Sequence, residues 1–294
     1  MVNTVHRDLS CFLEPAIADV ESGISMANQR WRPSLIVVCG LRGMGVTSVL
    51  RSVNSPQHLT ILTARSGYSI FPDLARALIP ESLLGNNNWR SDTLRALRTA
   101  NENGRLIAID QAHLIAGSEL AEITKTVGSA SGRGVSLILG GLPSLAYRSV
   151  RLNPERVHIT AITSPPPGLV DQVIIDAGYH PQELSSVCKS VAMLATALTA
   201  RDVGATAEQA INATLLEHYW APINALKPAE LKYLQTAAQS PMAPELRTKS
   251  SSRIRDSLVK MGLIYGSNQG SVRVAIPGLA AWLTSNESAT IAEE

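Results

Sequence analysis

The stretch CGLRGMGVTS, residues 39–48, decides how the chain is read. It follows an apolar run, SLIVVC (34–39), and precedes a helical pattern, VTSVLRSV. A phosphate loop has the form G-x-x-x-x-G-K-S/T. Its glycines let backbone N–H groups converge on phosphate oxygens, its lysine neutralises them, and its hydroxyl holds Mg²⁺. Gly40, Gly45 and Thr47 fit that register, with Gly43 as an extra glycine inside and Ser48 after the hydroxyl position. The lysine position holds Val46. Read alone, the segment is either a phosphate loop altered at one residue or a glycine turn between a strand and a helix.

A second segment bears on that choice. LIAIDQAH (106–113) is an apolar strand ending in Asp110. Nucleotide hydrolases place at this point the Walker B acid that holds Mg²⁺. The next residue, which in many such enzymes is a glutamate that polarises the attacking water, is Gln111. An amide keeps the size and hydrogen bonding of a carboxylate but accepts no proton. Both segments are thus changed at the residue that performs chemistry, while the residues that shape the site remain.

The surrounding pattern is that of an α/β domain. Short apolar runs at 34–39, 58–64 (HLTILTA), 105–110 (RLIAID), 135–141 (VSLILGG) and 155–162 (ERVHITAI, alternating and suited to an edge) are separated by helical segments such as SDTLRALRTANENG and SELAEITKTVGSA. Continuous Val/Ile/Leu runs between helices indicate a parallel sheet covered on both faces, a three-layer architecture. After SPPPG (164–168) the strand signals stop, and QELSSVCKSVAMLATAL and TAEQAINATLLEHYW read as helices. From Leu226 onward come a capped helix KPAELKYLQTAA, a second helix SSSRIRDSLVKMG, and a hairpin LIYGSNQGSVRVAI turning at GSNQG. That order is the pattern of a winged helix. The expected organisation is a phosphate-loop domain over 1–166, a helical lid over 167–222, a winged helix over 223–284 and a disordered tail over 285–294.

The composition is 45% hydrophobic and 17% charged with a net charge of +2, which suits a globular protein and gives no global argument for nucleic acid. Locally the balance differs. Residues 227–283 hold eight Lys/Arg against three acids, a surplus of +5, in a chain of only +2. Arg253, Arg255, Lys260 and Arg273 are the candidates for salt-dependent phosphate contacts to DNA. A protein-docking module with a solvated basic face is the alternative. The N-terminus lacks the apolar core of a signal peptide, and no apolar run approaches bilayer length. The three cysteines, Cys11, Cys39 and Cys188, are isolated and are expected to be buried reduced thiols, in a cytoplasmic protein that makes no membrane contact.

Together these segments resemble the bacterial branch of the origin-recognition-type AAA+ ATPases, close to the STAND ATPases, over nearly the whole chain. GLRGMGVTSVL is similar to that group's GxRGxGKTSLL, and IDQAHLI to its Walker B strand. LILGGLPSL resembles the strand leading to sensor 1, with Gly140 and Gly141 supplying no polar side chain. ERVHITAI resembles the following strand, making Arg156 the match for a trans-acting arginine. AGYHPQEL (177–184) is similar to the start of the lid, without a sensor 2 arginine. The C-terminal match is to the family's winged helix, although QSPMAPELRTKSSS (239–252) leaves room for only a shortened middle helix.

The resemblance implies nucleotide-binding roles for Gly40, Arg42, Gly43, Gly45, Val46, Thr47 and Ser48, Mg²⁺ at Thr47 and Asp110, and catalytic positions at Gln111 and Arg156. The implied cofactors are ATP and Mg²⁺, held weakly. The expected work is that of a DNA-associated regulatory or assembly factor with little or no hydrolysis. An ATP-binding switch that cycles slowly and a protein-binding scaffold that uses neither ligand are the rivals. Protein partners or self-association fit each of these readings.

Overall fold

The computed structural model describes residues 11–26, 34–100, 102–129, 134–162 except 151–155, 167–248 except 186, 250–266, 271–276 and 279–285. They divide into two compact units, each with apolar clusters of its own. A sheet unit comprises Leu13–Gly40 and Val46–Ile162; a helical unit takes Leu41–Gly45, the N-terminal residues to Phe12, and the chain from Thr163 onward.

The sheet unit has five parallel strands: β1 (Leu35–Cys39), β2 (His58–Thr63), β3 (Arg105–Asp110), β4 (Leu137–Gly141) and β5 (Val157–Ala161). Their order is β2-β3-β4-β1-β5. Every residue of β1 and β4 is buried, as is all of β3 after Arg105, whereas the edge strands β2 and β5 are only partly covered. Uninterrupted apolar runs in the centre and an alternating run at the edge follow from helices on both faces. The expected strands are all present, and ERVHITAI lies at an edge.

Three helices that the sequence pattern does not announce, at Glu14–Met26, Phe71–Leu78 and Pro143–Val150, complete the layers. α1 (Glu14–Met26) packs on β1 and β5. Its Asp19 Oδ2 accepts from Thr160 Oγ1 at 2.6 Å and lies 3.1 Å from His158 Nε2, closing the β5 side. Gly23 faces His158, where a Cβ would come within 2.9 Å of the imidazole. After α2 (Val46–Ser52) and β2, the second of them, α3 (Phe71–Leu78), buries Phe71, Leu74, Ala75 and Leu78. α4 (Trp89–Arg98) and α5 (Gly117–Gly128) cover the same interior.

In the helical unit the run QELSSVCKSVAMLATAL is not one helix. α7 (Pro167–Asp176) follows β5 and α6 (Pro143–Val150), then α8 (Pro181–Leu184) ends and α9 (Val191–Asp202) begins afresh. The break has a local cause: Ser190 is extended and its hydroxyl accepts from Met193 N, capping α9. α10 (Ala207–Leu215) starts at a capping box formed by Thr206 and Gln209. It ends in a π turn over Leu216–Trp220, so TAEQAINATLLEHYW is also shorter as an α-helix than its pattern suggests. A single turn, α11 (Ala221–Asn224), leads to α12 (Pro228–Gln239), a 3₁₀ turn at Pro244–Arg247, α13 (Ser252–Lys260), the antiparallel pair β6 (Ile264–Gly266) and β7 (Val272–Val274), and α14 (Leu279–Ser285).

Leu234, Leu246, Leu258, Leu263, Ile264 and Leu279 form one apolar cluster there, and Val170, Ile174, Leu184, Leu194 and Ala210 another. The proline-rich linker at 164–166, most of the hairpin turn (267–270), Lys249 and the tail from 286 lie outside the described residues.

Among the described residues no helix is long and apolar enough to cross a membrane. Cys39 and Cys188 are buried as expected, and burial raises both thiols, Cys188 to about 12. Cys11 is exposed, contrary to expectation: it stands before α1, outside either apolar interior.

Candidate phosphate-binding site

Ligand crevices in parallel sheets open where the strand order reverses, beyond the carboxyl ends of the strands. In this sheet β1 leads through α2 to β2, three places away, while the chain after β4 passes to β5 on the other side of β1. The carboxyl end of β1 is that reversal point, and the glycine loop begins there.

Gly40 is buried, and its N–H donates to the Gly141 carbonyl at 3.1 Å, tying the loop's entry to β4. Gly43 and Gly45 have φ of 82° and 90°, a left-handed backbone that any side chain would strain. Met44 between them is almost wholly buried. α2 then starts at Val46, with Thr47 in its first turn.

Thr47 Oγ1 donates to Asp110 Oδ2 at 2.8 Å, and Asp110 Oδ1 accepts from the Gln111 N–H at 2.8 Å. The hydroxyl and the carboxylate singled out as the metal pair are thus adjacent at the sheet's carboxyl edge. Asp110 is the one buried carboxylate among the described residues, at 5% exposure. A buried charge is costly unless hydrogen-bonded, and two charge-assisted bonds offset that cost here. Among the described residues no group of three or more His, Cys, Asp or Glu side chains is arranged to hold a metal by itself. The pair fits a cation that would draw its remaining ligands from phosphate and water.

Val46 is half-buried against β4. A Cβ added at Gly140 would meet Val46 Cγ1 at 3.0 Å and Leu50 Cδ1 at 2.6 Å, so the missing side chain at Gly140 makes the room that α2 occupies. A Cβ at Gly141 would meet His113 Nδ1 at 2.9 Å. The two glycines that supply no sensing side chain therefore have a packing role. Gln111 is the only described non-glycine residue with positive φ, 53°, and its side chain is exposed. For an L-residue that conformation costs roughly 1–2 kcal/mol.

The remaining candidates are placed elsewhere. Ser48 is exposed on α2. Arg42 Nη1 donates to the Met261 carbonyl at 3.0 Å, and the Gly43 carbonyl accepts from Ala192 N at 3.0 Å, both within the helical unit. Arg156 precedes β5, its carbonyl accepting from Ser34 N at the amino end of the strands, and its Nη1 donates to the Gly128 carbonyl at 3.0 Å. It stands at the opposite edge of the sheet from Asp110.

In the C-terminal stretch Arg253 and Arg273 are exposed, Arg255 is half-buried, and the Lys260 side chain lies outside the described set. Glu230 accepts from Ser257 Oγ at 2.7 Å and from Lys227 N at 3.0 Å. The backbone bond and the hydroxyl hold its carboxyl below the usual glutamate value.

No family model matches the sequence. No curated protein matches it either. Among solved structures, the chain is similar to Cdc6p from Pyrobaculum aerophilum, at 12% identity over 93% of each chain with a TM-score of 0.48. It is also similar to a single-residue variant of RuvB from Thermotoga maritima, at 12% identity over 89% of this chain and 91% of that one, with a TM-score of 0.46. The Thermotoga maritima RuvB described as a Holliday junction branch migration motor gives 14% identity over 93% of this chain and 92% of that one, with a TM-score of 0.37.

Proposed function

We propose that this chain is an AAA+-type protein whose phosphate loop has kept its cradle and lost its catalytic groups, and that it works as a DNA-associated regulatory or assembly factor. The observation that carries the reading is the Thr47–Asp110 pair at the carboxyl end of the sheet, with Thr47 following the glycine motif of residues 40–45 in the sequence. A chance glycine turn has no reason to set a buried carboxylate against the first turn of the following helix.

Val46 removes the cation that would meet the β and γ oxygens. The missing contact is worth about 1.5–3 kcal/mol, or roughly tenfold to a hundredfold in affinity. Backbone amides and the N-terminus of α2 remain as attractions for phosphate. When bound, Mg²⁺ would be held on the protein side by Thr47 and Asp110 and would supply neutralisation of phosphate charge. The chain's own contribution is to hold those two groups, 2.8 Å apart, in a part-buried corner. The Gln111 amide is no base and takes no proton from water, so turnover lacks both its general base and its lysine.

The DNA part of the reading rests on the basic surplus of residues 227–283 and on the order helix, 3₁₀ turn, helix, two-stranded hairpin, which is that of a winged helix with a shortened middle helix. Arg253 and Arg273 are the exposed contacts, joined by Lys260 on the helix that carries Arg253.

The reading is tested by titrating the full chain with Mg²⁺-ATP by calorimetry beside Thr47→Ala and Val46→Lys. Weak binding that Thr47→Ala abolishes and Val46→Lys tightens supports it. No heat from the parent or from Val46→Lys would remove the nucleotide half of the proposal and leave a scaffold.

A further inference from the structure

The tip of the glycine loop is held by two helix ends. The Gly43 carbonyl takes the Ala192 N–H at 3.0 Å, and Ala192 is the second residue of α9, whose first-turn amides have no partner within their own helix. Gly43 is also closed in from that side: a Cβ there would meet Ser190 Oγ at 3.0 Å and Ala192 Cβ at 3.4 Å. One residue earlier, Arg42 Nη1 reaches the Met261 carbonyl at 3.0 Å, at the residue just after the last of α13. A cation at a helix C-terminus meets both an unpaired carbonyl and the negative end of the dipole. Burial lowers the imidazole of His218, in the π turn, and the Arg42 cation pushes it the same way. All of these groups belong to the helical unit.

We infer that Arg42 and Gly43 form a latch by which phosphate in the loop and the state of α9 and α13 are linked. The inference rests on the proposed nucleotide cradle and assigns its regulation. A phosphate held by the tip's amides lies beside Arg42, and an oxyanion attracts a guanidinium more strongly than a neutral carbonyl does, in a geometry that suits two parallel bonds. Taking Arg42 strips the end of α13 of its capping cation. Turning the tip's N–H groups onto phosphate moves the Gly43 carbonyl off Ala192. α13 carries Arg253 and Lys260, two of the proposed DNA contacts, so loop occupancy and DNA affinity are coupled, and by linkage each ligand changes the other's affinity by the same factor.

Ala192 and Met261 give the test direct reporters. Hydrogen exchange is followed at Ala192 and at Met261–Leu263 in the full chain, in the parent and Arg42→Ala, with and without Mg²⁺-ATP, while calorimetry on the same samples records whether nucleotide binds. The expected results are faster exchange at Met261–Leu263 in Arg42→Ala without nucleotide, by roughly fivefold to tenfold for loss of one tether, and a rise at both Ala192 and Met261–Leu263 when nucleotide saturates the parent. In Arg42→Ala nucleotide should still raise exchange at Ala192 but add nothing at α13.

Unchanged exchange at α13 in Arg42→Ala overturns the latch whatever nucleotide does. Calorimetric binding to the parent with both reporters unmoved overturns the coupling while leaving the cradle standing. Absence of binding, even to Val46→Lys, overturns the cradle and the coupling with it. Arg42→Ala unfolding would show as loss of protection in α10 and α12 as well; in that case Arg42→Lys, which keeps a single-point cation, should give intermediate exchange at α13, and parent-like values there would reject a role for the guanidinium.

Discussion

The sheet unit and the helical unit keep their polar groups in different places. In the sheet unit the apolar strands β1, β3 and β4 are continuous, and the single buried carboxylate among the described residues, Asp110, is bonded on both oxygens at the sheet's edge. In the helical unit order depends on helix ends: Ser190 caps α9, Thr206 and Gln209 box α10, and Glu230 ties α12 to α13. The first arrangement makes a rigid frame with one polar corner, and rigid frames suit precise placement of a ligand. The second rests on contacts worth about 1 kcal/mol each, several of them titratable or movable, which suits elements whose positions change.

The largest expected effect breaks the frame. Gly140→Val forces a branched side chain into space held by Val46 and Leu50. It should cost about 2–3 kcal/mol in denaturant unfolding of the sheet unit, with the helical unit's transition unchanged. Next comes Thr47→Val, which keeps shape but leaves one Asp110 oxygen without its donor. A loss of about 1–2 kcal/mol is expected, recovered in large part by Thr47→Ser.

Two pH effects sharpen the contrast because they belong to the helical unit alone. Burial lowers His218 from its ordinary 6.5. The unfolded chain therefore takes up that proton more readily, so the contribution is complete above pH 6.5 and is lost as pH falls below it toward the folded value. His218→Gln should flatten this part of the stability profile. Glu230, lowered by its bonds to Lys227 N and Ser257, contributes above the ordinary glutamate value of 4.5 and loses that contribution as pH falls through its folded value. Glu230→Gln should shift the acid transition of the helical unit and leave the sheet unit's in place.

The smallest expected effect is a gain. Gln111→Gly removes a left-handed strain at the corner and should stabilise the sheet unit by about 0.5–1 kcal/mol, less the entropy glycine adds to the unfolded chain.

All five strands were legible because each is a short apolar run bounded by turn residues, and ERVHITAI showed its edge position by alternating. The Thr47–Asp110 juxtaposition was legible through two motifs whose spacing in three dimensions is fixed by the sheet. What escaped has physical reasons. α1 is weakly amphipathic, and its attachment through Asp19 to His158 and Thr160 spans most of the sheet unit's sequence, so no local pattern announces it. QELSSVCKSVAMLATAL has helical periodicity throughout, but Ser190 competes with the helix for backbone N–H groups and wins. The space-making role of Gly140 depends on which side chains α2 turns toward β4, and a glycine in a strand carries no sign of what lies over it. Arg42's bond to Met261 is the extreme case, joining a loop to a helix end far away in the chain.

The central claim, a retained cradle without its chemistry, is tested most directly by steady-state ATP hydrolysis of the parent beside Val46→Lys/Gln111→Glu and the same double variant carrying Asp110→Asn. The account predicts no turnover above background in the parent, turnover in the double variant, and its loss on Asp110→Asn. Hydrolysis by the parent at roughly 1 s⁻¹ or faster, abolished by Asp110→Asn, would contradict it.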